Sequence, residues 1–149
     1  MASNVTDQST KRLILTALLR TKLVGSGKPT EVVYDEAKES FQEQVCVVVE
    51  DDGIEGRKMM SNNTLSFVWF HYRIHIFVLW SITLSSAVRS VIEKNIADVL
   101  SDNLSTANWS LIEYTGITQA EIIKLTQTGP YYRHEEIPIR IQVYDNLTP

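Results

Sequence analysis

Cysteine is nearly absent: Cys46 stands alone in 149 residues, so no internal disulfide can form. Such sparse usage fits a reducing compartment, and a thiol in the apolar run VCVVVE packs as a small hydrophobe. Basic residues are in the minority, with 14 Lys and Arg against 18 Asp and Glu. A net charge of -4 argues against a general nucleic-acid binder, because phosphate contacts need a basic surface. There is no Gly-x-Gly-x-x-Gly and no Walker-type loop to cradle phosphates. Gly25-Ser26-Gly27-Lys28 is followed by Pro29 and ends a helical pattern instead of starting one. No Gly-x-Ser-x-Gly elbow is present, so nucleophilic catalysis has little support. The opening MASNVTDQSTKR lacks a basic region followed by an apolar core, which predicts no signal peptide. On that expectation the Asn-x-Ser/Thr sequons at Asn4, Asn62, Asn103, Asn108 and Asn146 are chance. No uninterrupted apolar run reaches the roughly 20 residues of a membrane helix.

What the chain does have is the stretch from Thr64 to Trp80, TLSFVWFHYRIHIFVLW. Val68, Phe70, Tyr72, Ile74, Ile76, Val78 and Trp80 alternate with Trp69, His71, Arg73, His75, Phe77 and Leu79. Period two marks a β-strand with one apolar face and one face that turns polar in its middle. Arg73 between two histidines weighs against a membrane span. The length is unusual for a strand and predicts a bulge, a bend or two strands in tandem.

The length of the chain suits a single domain, residues 1–149, with one core. Residues 1–8 read as a flexible N-terminus. A helix capped by Ser9 or Thr10 is predicted to run to about Val24, with Leu13, Ile14, Ala17, Leu18 and Thr21 on its buried stripe. Glu31 to Asp35 reads as a short strand and Val45 to Val49 as the antiparallel partner of the long strand. Between them, Asp51 to Asn63 (DDGIEGRKMMSNN) has mixed charge, two glycines and no period, and reads as a long loop. Such a loop is either an adaptable contact surface, with Met59 and Met60 as flexible contacts, or a floppy hairpin tip.

Ser85-Ser86 caps a second helix to about Leu100. Val88, Val91, Ile92, Asn95, Ile96, Val99 and Leu100 form its stripe, with Arg89, Glu93, Lys94 and Asp98 outside. Trp109 to Tyr114 is a predicted strand. Segment 117–127 fits a capping box, Thr118-x-x-Glu121, or a strand; a long following strand favours the strand. Gly129-Pro130 is a turn, and Ile137, Ile139, Ile141 and Val143 alternate in the last strand. Pro138 cannot donate to a ladder, so that strand is expected at an edge or to begin there. The expected fold is α+β: a mixed, mostly antiparallel β-sheet with two main helices packed on one face.

His71, Arg73 and His75 share a strand face. Two histidines there could take part in a zinc site, which needs three or four ligands, and His134 in RHEE is the one further histidine. A polar face meeting solvent or a neighbouring subunit explains the same residues with fewer demands. Asp51-Asp52 and Glu135-Glu136 read as solvated charge on loops.

The order of elements resembles the tail terminator proteins of long-tailed bacteriophages of the lambda type. The local echoes are YYRHEEIPIRIQVYD near the C-terminus and FHYRIHIFV leading into VRSVIEKNIADVL. The resemblance implies a structural virion protein with no catalysis and no cofactor. It implies a hexameric ring at the head-proximal end of the tail, assembled in the host cytoplasm. Such a ring stops tube polymerisation and meets the tail tube protein on one side and the head connector, or neck, on the other. Under that expectation Ile137–Tyr144 is an edge able to pair across subunits. The candidate partner-binding residues are Asp51, Asp52, Glu55, Arg57, Lys58, Met59 and Met60 on the loop, His71, Arg73 and His75 on the long strand, and Pro138, Arg140 and Gln142 on the last. The rivals are a different head–tail joining subunit, such as a neck or tail-completion protein, and a small metal-dependent enzyme using His71, His75 and His134.

Overall fold

A computed structural model describes residues 4–59, 65–83 and 85–146. Two helices, α1 (Asn4–Leu23) and α2 (Ser85–Asp102), accompany six strands. These are β1 (Val32–Tyr34), β2 (Val45–Met59), β3 (Leu65–Leu79), β4 (Leu111–Tyr114), β5 (Gln119–Lys124) and β6 (Tyr131–Asn146). The strands form one sheet in the order β1-β2-β3-β6-β4, with β5 also pairing with β6. Only β1 against β2 is parallel. This is the expected α+β fold.

Alternation decides which side of the sheet the helices cover. Val45, Val47 and Val49 of β2, Val68 to Val78 at even positions of β3, and Ile137, Ile139 and Ile141 of β6 point to one side. There they meet Leu15, Leu19 and Leu23 of α1 and Ile92, Ile96, Val99 and Leu100 of α2 in one core. Truncating any one of the fully buried leucines or isoleucines among them to alanine would cost about 2–5 kcal/mol. On α2 the predicted stripe holds except at Val91, which is 49% exposed. Arg89 turns inward instead, because Glu135 is buried on that side of β6 and binds it at 2.7 Å.

The buried stripe of α1 differs from the prediction. Leu13 is exposed, whereas Gln8, Leu15, Thr16, Leu19 and Leu23 are buried. The helix is apolar around most of its girth, so periodicity alone does not choose a face. The helix also begins by Asn4, well before Ser9 or Thr10, so residues 4–8 are not loose. A bulge explains why. The β2–β3 register slips between Asp51 and Ile54, where Gly53 has a φ of 102°, and again between Glu55 and Lys58. At the first slip the side-chain amide of Gln8 donates to the carbonyls of Gly53 (2.9 Å) and His71 (3.3 Å). Tyr72 Oη in turn donates to the Gln8 carbonyl at 2.7 Å. Buried backbone groups need partners, and α1 supplies them.

The predicted loop is therefore strand through Met59, because its bulges break the period without ending the pairing. The irregularity expected in β3 lies in its neighbour, and β3 itself runs for 15 residues. Segment 119–124 is a strand, as the hairpin argument favoured. Trp80, expected on the apolar face, lies in a turn beyond β3 and is 46% exposed, with the Arg133 guanidinium 4.9 Å from its ring centre.

The last strand is not an edge. β6 pairs with β3 along its whole length on one side and with β5 and β4 on the other. Pro138 is tolerated in this interior position because it falls in the gap between β5, which reaches Glu136, and β4, which starts at Ile139. Its carbonyl accepts from Thr115 N at 3.1 Å, so its missing N–H faces that same gap.

Candidate functional site

The opposite side of the sheet carries the other alternation, and among the described residues no helix covers it. At one end it is apolar. Cys46, Val48, Phe77 and Tyr132 are buried there beneath Phe41 of the connection after β1, Ile123 of β5 and Leu125. Burial pushes the Cys46 thiol far up, so it is an inert core atom.

Beyond that cap the face becomes a ladder of charges across five strands, β2 to β6. Residues two apart on a strand stand about 7 Å apart on one face, so each rung is a set of cross-strand neighbours. In the first rung His75 Nε2 lies 2.6 Å from Glu50 of β2, and His75 Nδ1 lies 2.8 Å from Nε2 of His134 on β6. His134 Nδ1 is 3.5 Å from Glu121 of β5. Burial, and then the neighbouring His75, lower the His134 pKa below its ordinary value, so this imidazole stays neutral at neutral pH. In the second rung Arg73 bridges Asp52 and Glu136, each at 2.9 Å. In the third, Glu55 lies 3.5 Å from both His71 and Arg140, and Arg140 Nε donates to Glu113 of β4 at 2.6 Å. The Arg140 guanidinium rests 3.8 Å over the Trp69 ring. Gln142 ends the ladder, its side-chain and backbone oxygens accepting from Ser110.

The structure thus brings together eight of the residues proposed from sequence: Asp52, Glu55, His71, Arg73, His75, Pro138, Arg140 and Gln142. Asp51 does not join them. It points to the helix side and pairs with Arg12 at 2.6 Å. Arg57, Lys58 and Met59 belong to the far end of β2 instead of a loop, and Met60 lies outside the described residues. Four members were missed: Glu50, Glu113, Glu121 and Glu136; His134, read as the further histidine of a zinc site, lies beside His75. The signal was present for His134 and Glu136. The alternation read from Ile137 onward extends back to Tyr132, which puts His134 and Glu136 on the face of Pro138 and Arg140.

Beside the second rung lies an open polar dish of about 390 Å³, lined by Asp52, Arg73, Glu136, Pro138 and the β4–β5 turn at Gly116 and Ile117. Ile117 is 85% exposed at its rim. A second groove of about 240 Å³ lies beside the first rung, with His75, His134 and Glu50 facing Phe41 and Lys38.

Among the described residues no nucleophile stands against a histidine base in the manner of a hydrolase. The ladder is acid-rich, with Glu50, Asp52, Glu55, Glu113, Glu121 and Glu136 set against Arg73, Arg140 and the imidazoles of His71, His75 and His134, and exposed pairs of this kind each add only about 0.2–1 kcal/mol to stability.

No family model and no curated protein matches the chain. Among solved structures, the chain is similar to the sheath/tube terminator of an extracellular contractile injection system, PVC, seen by cryo-EM in its extended state. Identity is 12%, the TM-score is 0.42, and the match covers 100% of this chain and 61% of that one. The chain therefore spans about three fifths of its neighbour's length, and a likeness this loose implies nothing about partners or activity.

Proposed function

We propose that the chain is a tail terminator subunit: a structural virion protein that forms a hexameric ring at the head-proximal end of a phage tail, stops the tube and receives the head connector. The resemblance in element order and in the FHYRIHIFV and YYRHEEIPIRIQVYD strands underlies the reading. The observation that carries it is the unequal ends of the sheet. A ring of identical subunits needs two different, complementary surfaces on each copy. Here β1 pairs only with Cys46, Val47 and Val48, and β2 runs on past it to Met59. The opposite side of the sheet ends in two short strands, β4 and β5. A neighbour can pair with the long overhang of β2 by strand addition, and no second copy of the same edge is needed. The charge ladder, open on the uncovered face, is the surface offered to the tube or the connector.

Native mass spectrometry of the full chain over a range of concentrations, with negative-stain images of the same samples, tests this. Closed hexameric rings are expected. A twelve-fold ring favours a neck-type joining subunit instead, and a chain that stays monomeric throughout overturns the ring.

A further inference from the structure

We infer that the His75–His134–Glu136 cluster is a binding site for a divalent transition-metal ion of the zinc class, a clip between β3 and β6 that is independent of the ring reading. One ligand atom from each of these side chains lies within 4.8 Å of the others. Two imidazole nitrogens and a carboxylate oxygen form a typical three-ligand zinc set, with a fourth position left for water. The groove beside the first rung supplies that position and a way in.

Counting hydrogens shows that two neutral rings leave one conflict, which either a metal ion or one extra proton between the rings resolves. Glu50 can only accept when ionised, so His75 Nε2, at 2.6 Å, carries the hydrogen and donates. In a neutral His75 the Nδ1 atom is then a lone pair. It must accept from His134 Nε2 at 2.8 Å, which fixes the hydrogen of His134 on that nitrogen. His134 Nδ1 is left as a second lone pair, buried, without a hydrogen bond, and facing the Glu121 carboxylate at 3.5 Å. Acceptor faces acceptor, in a side chain only 7% exposed.

One cation placed between the two rings removes the conflict. A metal ion takes the lone pairs of His75 Nδ1 and His134 Nε2. The displaced hydrogen of His134 moves to Nδ1, where it is donated to Glu121, and no proton is lost overall. Both ligands then have the carboxylate-backed imidazole arrangement that orients zinc histidines, Glu50 behind His75 and Glu121 behind His134. Phe77 stacks on both rings, its centroid 5.9 Å from His75 and 4.8 Å from His134, and holds them in plane. Zinc–nitrogen bonds of about 2.0–2.1 Å in a tetrahedral set need the two nitrogens roughly 3.3–3.4 Å apart, so the rings part by about half an ångström on loading.

The test uses the full-length chain, purified without a histidine tag and stripped with chelator. Zn²⁺ is titrated by calorimetry and Co²⁺ by visible absorption. One saturable equivalent per chain is expected, with the intense visible bands of four-coordinate cobalt and a zinc-dependent rise in Tm. Glu50→Gln should weaken binding about 10–100-fold, because it removes only the group behind a ligand. His75→Gln and Glu136→Gln should each remove the stoichiometric site. Glu136 is partly exposed, so its variant serves if the His75 variant does not fold. Absence of saturable binding overturns the inference, and so does binding by either ligand variant with wild-type affinity. Ring formation is scored on stripped protein, which keeps failure of the ring apart from failure of the site.

Discussion

At the scale of single residues, the molecule carries charge where burial opposes it. Glu135 sits under α2 with a side chain 4% exposed. Burial first, and then the neighbouring Glu93, push its carboxyl up to about 7 in spite of Arg89. A carboxyl whose folded pKa is raised prefers its proton in the folded state. Its stabilising contribution is thus complete below the ordinary value of 4.5 and is lost as pH rises through about 7. Glu135→Gln mimics the protonated form. Thermal melts of the two proteins between about pH 5 and pH 8 should diverge, the variant gaining by up to roughly 3 kcal/mol at the alkaline end. Parallel curves would show that Arg89 compensates the charge in full. Pro138 makes the opposite case, a residue that breaks a rule at no cost. Its absent N–H faces the gap between β5 and β4, so Pro138→Val should change stability by less than about 1 kcal/mol in urea unfolding. A larger loss would mean that the ring of Pro138 itself packs on something the strand needs.

At the scale of elements, α1 and β2 depend on each other. The Gln8 side chain satisfies two carbonyls that the bulge leaves exposed, and the Gln8 backbone receives Tyr72. Gln8→Ala should therefore destabilise by about 1–3 kcal/mol, the cost of orphaned buried polar groups. If it is as stable as wild type, water fills the bulge and the helix is not its plug. This coupling also explains which elements could be read from sequence. β3, α2, β1 and the hairpin of β5 with β6 follow from local pattern and from the need for a partner, and all four lie where expected. The end of β2 does not, because Gly53 and a run of mixed charge imitate a loop when two bulges shift the alternation. The face of α1 does not, because Leu13, Leu15 and Leu19 are equally apolar and only contacts distant in sequence choose among them. Pro138 misled for the same reason: a proline reports a missing donor but not whether a neighbouring strand has a gap to match. Within the site, His71, Arg73 and His75 were legible from their shared face. Glu50, Glu113 and Glu121, which partner His75, Arg140 and His134, come from three other strands, and only the register of the sheet brings them into contact.

At the scale of the whole molecule, the ladder is more extensive than stability requires. A row of exposed ion pairs at about 0.2–1 kcal/mol each is a weak stabiliser, but it is a surface of defined shape whose charges can re-pair with another molecule. Arg73 is its most open cation, with a side chain 43% exposed between Asp52 and Glu136 and beside the dish that Ile117 borders. Arg73→Glu places three acids together at the centre of the face, yet leaves the helix-side core untouched. The variant should fold, with a loss in urea unfolding on the order of 1 kcal/mol, and should still close into rings if the edge of β2 makes the ring contact. What it should lose is the attachment of those rings to tail tubes or connectors, scored by cosedimentation. Asp51→Ala is the matched control: it removes a neighbouring charge from the other side of the sheet and should leave attachment intact. If Arg73→Glu instead dissolves the ring while the monomer stays folded, the ladder is the contact between subunits. The overhang of β2 then becomes the surface that meets the tail.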